Sequence, residues 1–347
     1  MRKIIVVGSG VIGLSCAFLF ALEGEKVRVI TRNPEEATSW VAGGMLAPFS
    51  EGLDGDLFEF SYKSLKEYPS FVELLRDVSK QRVDFWQGGM YRVVLKGEED
   101  VLNKAEAYRG SGYGVNKIEF GDWLSEEVYA LIEYAEEAWV DTETLMDALL
   151  FAMERLGVEI VIDEVVDIKT QGQEVKALKG LKEEYEGDFY LFALGAWSAE
   201  LFDMPVYPIK GQGLKLKGVN LPKVHYSSLS YLIPRERYLY VGATSEDVGF
   251  LSGNTLEGIK RLSEGAMRVV PSLAKAQVVG MLYGYRPATP DEKPIFEAGN
   301  NYMVATGHYR NGILHAPITA KIALDYLKGE RSPYIDIFSP RRFLGSL

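Results

Sequence analysis

Residues 3–30 read KIIVVGSGVIGLSCAFLFALEGEKVRVI, and this stretch decides the fold. KIIVV (3–7) is an unbroken apolar, β-branched run, the pattern of a strand buried on both faces of a parallel sheet. Gly8, Gly10 and Gly13 follow in G-x-G-x-x-G spacing. Leu14, Ala17, Phe18, Ala21 and Leu22 then recur at helical spacing, and Gly24 is placed to end that helix. KVRVI (26–30) is a second strand. In this setting each glycine has a role: Gly8 for the tight turn, Gly10 for backbone approach to a pyrophosphate, Gly13 for helix packing on strand. Val11 and Ile12 open a helix whose free N–H groups and positive dipole end face the phosphates. The expected fold class is α/β, with a Rossmann-type dinucleotide-binding unit.

One expected part is missing. An acidic residue usually closes the second strand and takes the ribose hydroxyls. Here Thr31 and Arg32 stand in that place. Thr31 offers one hydroxyl. Arg32 could stack on adenine or hold a 2′-phosphate, so the motif alone leaves FAD, NAD and NADP open.

A second motif, TSWVAGGMLAP, spans residues 38–48. Thr38, Ser39, Gly43 and Gly44 are small enough to let backbone lie against a flat ligand. Trp40, Val41, Met45 and Leu46 are too apolar for a plain exposed loop.

Composition narrows the partners. The 347 residues carry 38 Lys and Arg against 49 Asp and Glu, for a net charge of −11. Nucleic acid and anionic membranes both call for a basic surface, so neither is expected as a partner. No apolar run approaches the roughly 20 residues of a membrane-spanning helix. Cys16 is the single cysteine, and Met1 leads straight into the first strand, as expected of a cytoplasmic chain. Three histidines and one cysteine make a metal site unexpected.

The order of motifs resembles the D-amino-acid oxidase and sarcosine oxidase superfamily of FAD enzymes. The residues that carry the resemblance are G-x-G-x-x-G, then SWVAGGMLAP, ALGAWS (193–198), RPATPD (286–291) and HYRNGI (308–313). Within it, GMLAP, VGATSEDVGF (241–250) and GHYRNGIL are similar to the glycine oxidases of bacterial thiamine biosynthesis.

The resemblance implies an α+β chain with a discontinuous FAD-binding domain at 1–48, 141–205 and 286–347. A mainly antiparallel substrate domain would occupy 49–140 and 206–285. Several patterns agree with it: Asp141 opens a helix-like run, 158–163 and 188–197 read as strands, 57–79 reads as an amphipathic helix, and 206–285 alternates short strands with turns. It further implies cofactor contacts from Val165, Gly195, Trp197, His308, Tyr309, Arg310, Asn311, Gly312, Ile313 and Leu314. The helix after HYRNG would start between about Gly312 and Ala316, with Pro317 in its first turn.

In such an enzyme FAD takes a hydride from the substrate α-carbon, and the protein binds and orients the amino acid. The resemblance assigns carboxylate binding to Arg286, because a guanidinium makes two parallel charge-assisted hydrogen bonds. Tyr231 would border the substrate and Arg310 would be a second pocket arginine. Tyr283 and Tyr285 are weaker candidates on the same wall, and Ser245 stands where a methionine is frequent. His308 would touch cofactor at most, and His315 would serve helix packing. The FAD is expected to be non-covalent, since no histidine precedes residue 225 and Cys16 lies on the first helix.

The activity so implied is oxidative deamination of glycine, sarcosine or small D-amino acids. Products would be a 2-oxo acid, ammonia and hydrogen peroxide, with oxygen as acceptor, and a homo-oligomer is allowed for. The alternatives are a broader D-amino-acid oxidase, a dehydrogenase using another acceptor, or a silent FAD-binding subunit.

Overall fold

The computed structural model describes residues 1–344, so the last three residues of the expected segment 286–347 lie outside it. The first βαβ unit forms as read. Lys3–Val7 and Lys26–Thr31 pair in parallel, with Val7 opposite Ile30. They sit inside a six-stranded sheet with Glu159–Ile162 on one side and Phe189–Phe192 and Tyr302–Thr306 on the other. Only the outermost strand, Ile295–Ala298, runs antiparallel.

The helix Val11–Leu22 is buried over more of its surface than a single apolar face requires. The reason is tertiary. Helices Thr142–Arg155 and Gly312–Leu327 pack against it, and Gly55–Ser79 packs against both of those. Asp141 caps the first of them, its Oδ1 accepting from Glu143 N at 2.9 Å.

Gly312–Leu327 differs from expectation at Pro317, which lies within the helix rather than in its first turn. A proline there cannot bond the carbonyl four residues back. That carbonyl, Ile313 O, instead accepts from Tyr68 Oη at 3.0 Å. The next, Leu314 O, accepts from Ser64 Oγ at 2.6 Å. The helix Gly55–Ser79 thus satisfies the groups that Pro317 disturbs.

An eight-stranded sheet forms the second layer, antiparallel except where His225–Tyr226 meets Met90–Leu95. Its edge strand Gln277–Ala288 pairs along its length with Tyr207–Lys217. The domain boundary expected between 285 and 286 falls inside this strand, so Arg286 is held by sheet register rather than by a linker. The segment 49–140 also divides. Its long helix joins the core of the first layer, while Met90–Leu95, Val115–Ile118 and Val128–Tyr134 join the second sheet. A small meander, Val165–Gln171, Glu174–Gly180 and Glu184–Tyr185, extends beyond the six-stranded sheet.

Candidate active site

A long cleft runs between the two layers, about 1830 Å³ with its solvent-open mouth included. It begins at the glycine turn. Gly8 has φ +108°, and a Cβ there would lie 2.2 Å from Ala193 O. A Cβ on Gly13 would lie 2.0 Å from Gly8 O. These two glycines let the turn, helix and neighbouring strand close together. Gly10 is different: the nearest atom to a Cβ would be Ser39 Oγ at 3.5 Å, so its open side faces the cleft. Gly10 caps the helix with no side-chain bond of its own, and Ser39 Oγ accepts from Val11 N at 2.9 Å. A helix N-terminus with little on it but one serine fits a pyrophosphate.

At the end of the second strand, Thr31 Oγ1 and Ser9 Oγ are 2.8 Å apart and buried. Arg32 lies with its Cζ 5.1 Å from the Trp197 ring centroid. Its Nη1 is 3.7 Å from both Glu164 and Glu200 carboxylates. Two carboxylates beside one guanidinium disfavour a 2′-phosphate, which would meet repulsion rather than a free cation. Glu36, Asn33 and Glu164, which sequence reasoning missed, line this end beside Val165, Gly195 and Trp197.

The middle of the cleft is walled by Thr38, Ser39, Gly43, Gly44 and Met45. Thr38 exchanges hydrogen bonds with the backbone of Tyr285, and buried Arg235 donates to Ala42 O at 2.8 Å and Gly43 O at 3.1 Å. Arg235 also reaches Asp141 at 3.3 Å, so one side chain of the second sheet fixes the backbone of the second motif. On the far wall stand His308, Tyr309, Arg310, Asn311, Gly312 and Ile313. Leu314 does not join them; it is fully buried in the helix core. His308 Nδ1 lies 3.2 Å from His315 Nδ1, and His315 Nε2 lies 2.8 Å from Ser61 Oγ. Burial holds His308 at a pKa of about 3 and His315 well below the usual range, so both rings are neutral near pH 7.

The far end holds the polar groups. Arg286 donates to Thr244 O at 3.0 Å and to Tyr231 Oη at 3.1 Å. Gly211 opens the space that the guanidinium fills. Tyr231 stacks on Tyr226 at 6.0 Å, and Tyr226 Oη accepts from Arg310 Nη2 at 3.3 Å. Arg310 Nε is 3.2 Å from Glu51 Oε2, a carboxylate that raises the arginine pKa further. Glu51, Gly211 and Tyr240 were missed in the sequence, since nothing local marks a residue that meets its partners only across the fold. Two expectations are corrected here. Ser245 is exposed and lies outside the cleft, where Ala243 takes the wall position. The Tyr285 ring packs on Trp197 and Phe250, on the other face of the strand from Arg286.

A family model described as "DAO: FAD dependent oxidoreductase" matches residues 3–326. The chain belongs to this family. The DAO member is thus an FAD-dependent oxidoreductase, and the glycine turn, open helix end and small-residue wall fit that cofactor. It is 36% identical to the bifunctional protein ThiO/ThiG of Trichormus variabilis, over 99% of this chain and 55% of that protein. It is 28% identical to the glycine oxidase of Bacillus licheniformis, covering 99% of this chain and 98% of that one. The crystal structure of glycine oxidase from Geobacillus kaustophilus superposes with a TM-score of 0.89 at 26% identity, over 96% of each chain. The chain spans about half the length of the bifunctional relatives. Among the described residues no helix is long and apolar enough to cross a membrane, and no cluster of side chains suits a metal ion.

Proposed function

We propose that the chain oxidises glycine and similarly small amino acids, sarcosine and small D-amino acids among them. The observation that carries this reading is Arg286, a cleft arginine whose donors, among the described residues, reach only neutral protein oxygens, so that its charge is left for a carboxylate. Tyr231 Oη, already bonded to Arg286, holds the guanidinium in place and borders the same space. Bound FAD supplies the oxidant, a hydride acceptor for the α-carbon.

The protein's part is to bind and orient. Arg286 fixes the carboxylate, the lone pair of the neutral amine forms the C–N double bond as the α-hydride leaves, and the protonated imine gives its proton to water. Water then converts the imino acid to the 2-oxo acid, releasing ammonia from a primary amine and methylamine from sarcosine. The two electrons leave to oxygen as hydrogen peroxide. Neutral His308 adds no charge to the cleft wall, and a substrate amine that binds neutral needs no separate base.

The names of the relatives support both halves of this reading: glycine oxidase for the reaction, and ThiO/ThiG for a role in thiamine thiazole synthesis. A panel of glycine, sarcosine, D-alanine, D-proline and their L-forms, with peroxide and ammonia measured together, tests it. Turnover of glycine with equal peroxide and ammonia supports the proposal, and exclusive turnover of L-amino acids overturns it.

A further inference from the structure

Arg286 and Arg310 line the same end of the cleft but differ in charge balance. Arg286 meets a carbonyl and a phenol, both neutral. Arg310 meets Glu51, whose carboxylate is 9% exposed and 3.2 Å away. The Arg310 side chain is 32% exposed, so the guanidinium faces the open cleft while the carboxylate that pairs with it is buried, and screening from the Glu51 side is weak. The rings of Tyr226 and Tyr231, stacked at 16°, join the two arginines into one wall.

Glu51 is also held from behind. The buried Glu137 carboxyl group accepts from Phe49 N at 2.8 Å and Ser50 N at 2.7 Å, and from the Ser50 hydroxyl. Glu51 N itself donates to Ala47 O at 3.0 Å. These bonds fix the backbone that carries Glu51 opposite Arg310.

We propose that Glu51 is a specificity-determining residue: by occupying Arg310 it leaves one free guanidinium for carboxylates and turns away amino acids that carry a second one. This rests on Arg286 being the carboxylate clamp of the proposed function. A second carboxylate reaching toward Arg310 meets Glu51, a like charge in a poorly hydrated pocket, and the repulsion raises its binding cost. Removing the charge on Glu51 turns Arg310 into a second anion site.

The test compares holoenzymes: the unmodified chain, Glu51→Gln, and Glu51→Gln combined with Arg310→Gln. Two matched substrate pairs differ by one carboxylate, D-alanine with D-aspartate and sarcosine with iminodiacetate. The quantity read is the ratio of kcat/KM within each pair. In Glu51→Gln the ratio rises at least tenfold toward the dicarboxylate in one pair or both, and the double variant reverses the rise. Unchanged ratios in Glu51→Gln, or an unmodified enzyme that takes both dicarboxylates as well as their partners, overturn the proposal. If the variants do not fold, flavin-spectral titration of the unmodified holoenzyme decides. Malonate then binds at least tenfold more weakly than acetate, and equal or tighter malonate binding overturns the role of Glu51. An unmodified enzyme that turns over no amino acid removes the proposed function, and the same titration still reads Glu51 independently.

Discussion

Gly211 and Arg286 lie on adjacent strands, and a Cβ at residue 211 would sit 2.7 Å from Arg286 Nη2. The clashing atom is the end of a flexible side chain, so Gly211→Ala should displace the guanidinium rather than the backbone. Catalytic efficiency with glycine should fall about tenfold or more, as expected when a bidentate contact is misaligned. Melting temperature and FAD content should change little. Intact kinetics in a well-folded Gly211→Ala protein would show that the position of Arg286 does not matter.

Direct removal tests the same guanidinium. Charged hydrogen bonds contribute roughly 1.5–3 kcal/mol each, so Arg286→Ala should lower kcat/KM by about ten- to several hundredfold while FAD stays bound. Tyr231→Phe removes one support of the guanidinium but leaves its charge and its bond to Thr244 O, so it should cost less, about two- to tenfold. A Tyr231→Phe loss equal to that of Arg286→Ala would assign the tyrosine a larger part than holding the arginine.

The two buried histidines make the fold acid-sensitive. His308 titrates near 3 in the folded chain against 6.5 for an exposed ring, because burial disfavours its charged form. Between those values the unfolded chain binds the extra proton, so stability is lost as pH falls from 6.5 toward 3. Glu137 acts in the opposite sense. Burial raises it from 4.5 to about 8, so its contribution is present below pH 4.5 and lost as pH rises through 8. Melting temperature against pH should show a shallower acid limb in His308→Asn and a shallower alkaline limb in Glu137→Gln. Limbs identical to the unmodified protein would dismiss these groups as the cause.

The environment of Arg32 makes a statement about nucleotides. With Glu164, Glu200 and Trp197 around it, Arg32 should give NADP no advantage. Acid treatment of the yellow protein should release free FAD, since Cys16 is buried in the first helix, away from the cleft. Thermal shift with added NADP should be flat. A stabilisation by NADP that Arg32→Ala abolishes would return that site to a nicotinamide cofactor.

What could be read in advance was mostly local. The first βαβ unit announces itself because its strands are buried on both faces and its glycines have one workable spacing. Asp141 could be read as a helix start because its capping bond closes within two residues. The misses are contacts between distant segments. Pro317 is tolerated inside its helix because Tyr68, some 250 residues earlier, takes the freed carbonyl. Glu51 meets Arg310 only once the two layers close. Tyr285 was misjudged for a third reason: which way a strand side chain faces depends on register, and a shift of one residue reverses it. Ser245 lies past the end of its strand at Gly242, where alternation no longer sets the direction.

The central claim is that glycine places its carboxylate on Arg286 and reduces the bound FAD. Anaerobic mixing of the yellow holoenzyme with glycine, followed by oxidised-flavin absorbance, tests it most directly. The account predicts bleaching by glycine that is restored on admitting air with release of hydrogen peroxide, and bleaching in Arg286→Ala that needs at least about tenfold more glycine or proceeds at least about tenfold more slowly. A flavin that stays oxidised with glycine, sarcosine and D-alanine alike, or one bleached equally well in Arg286→Ala, would contradict it.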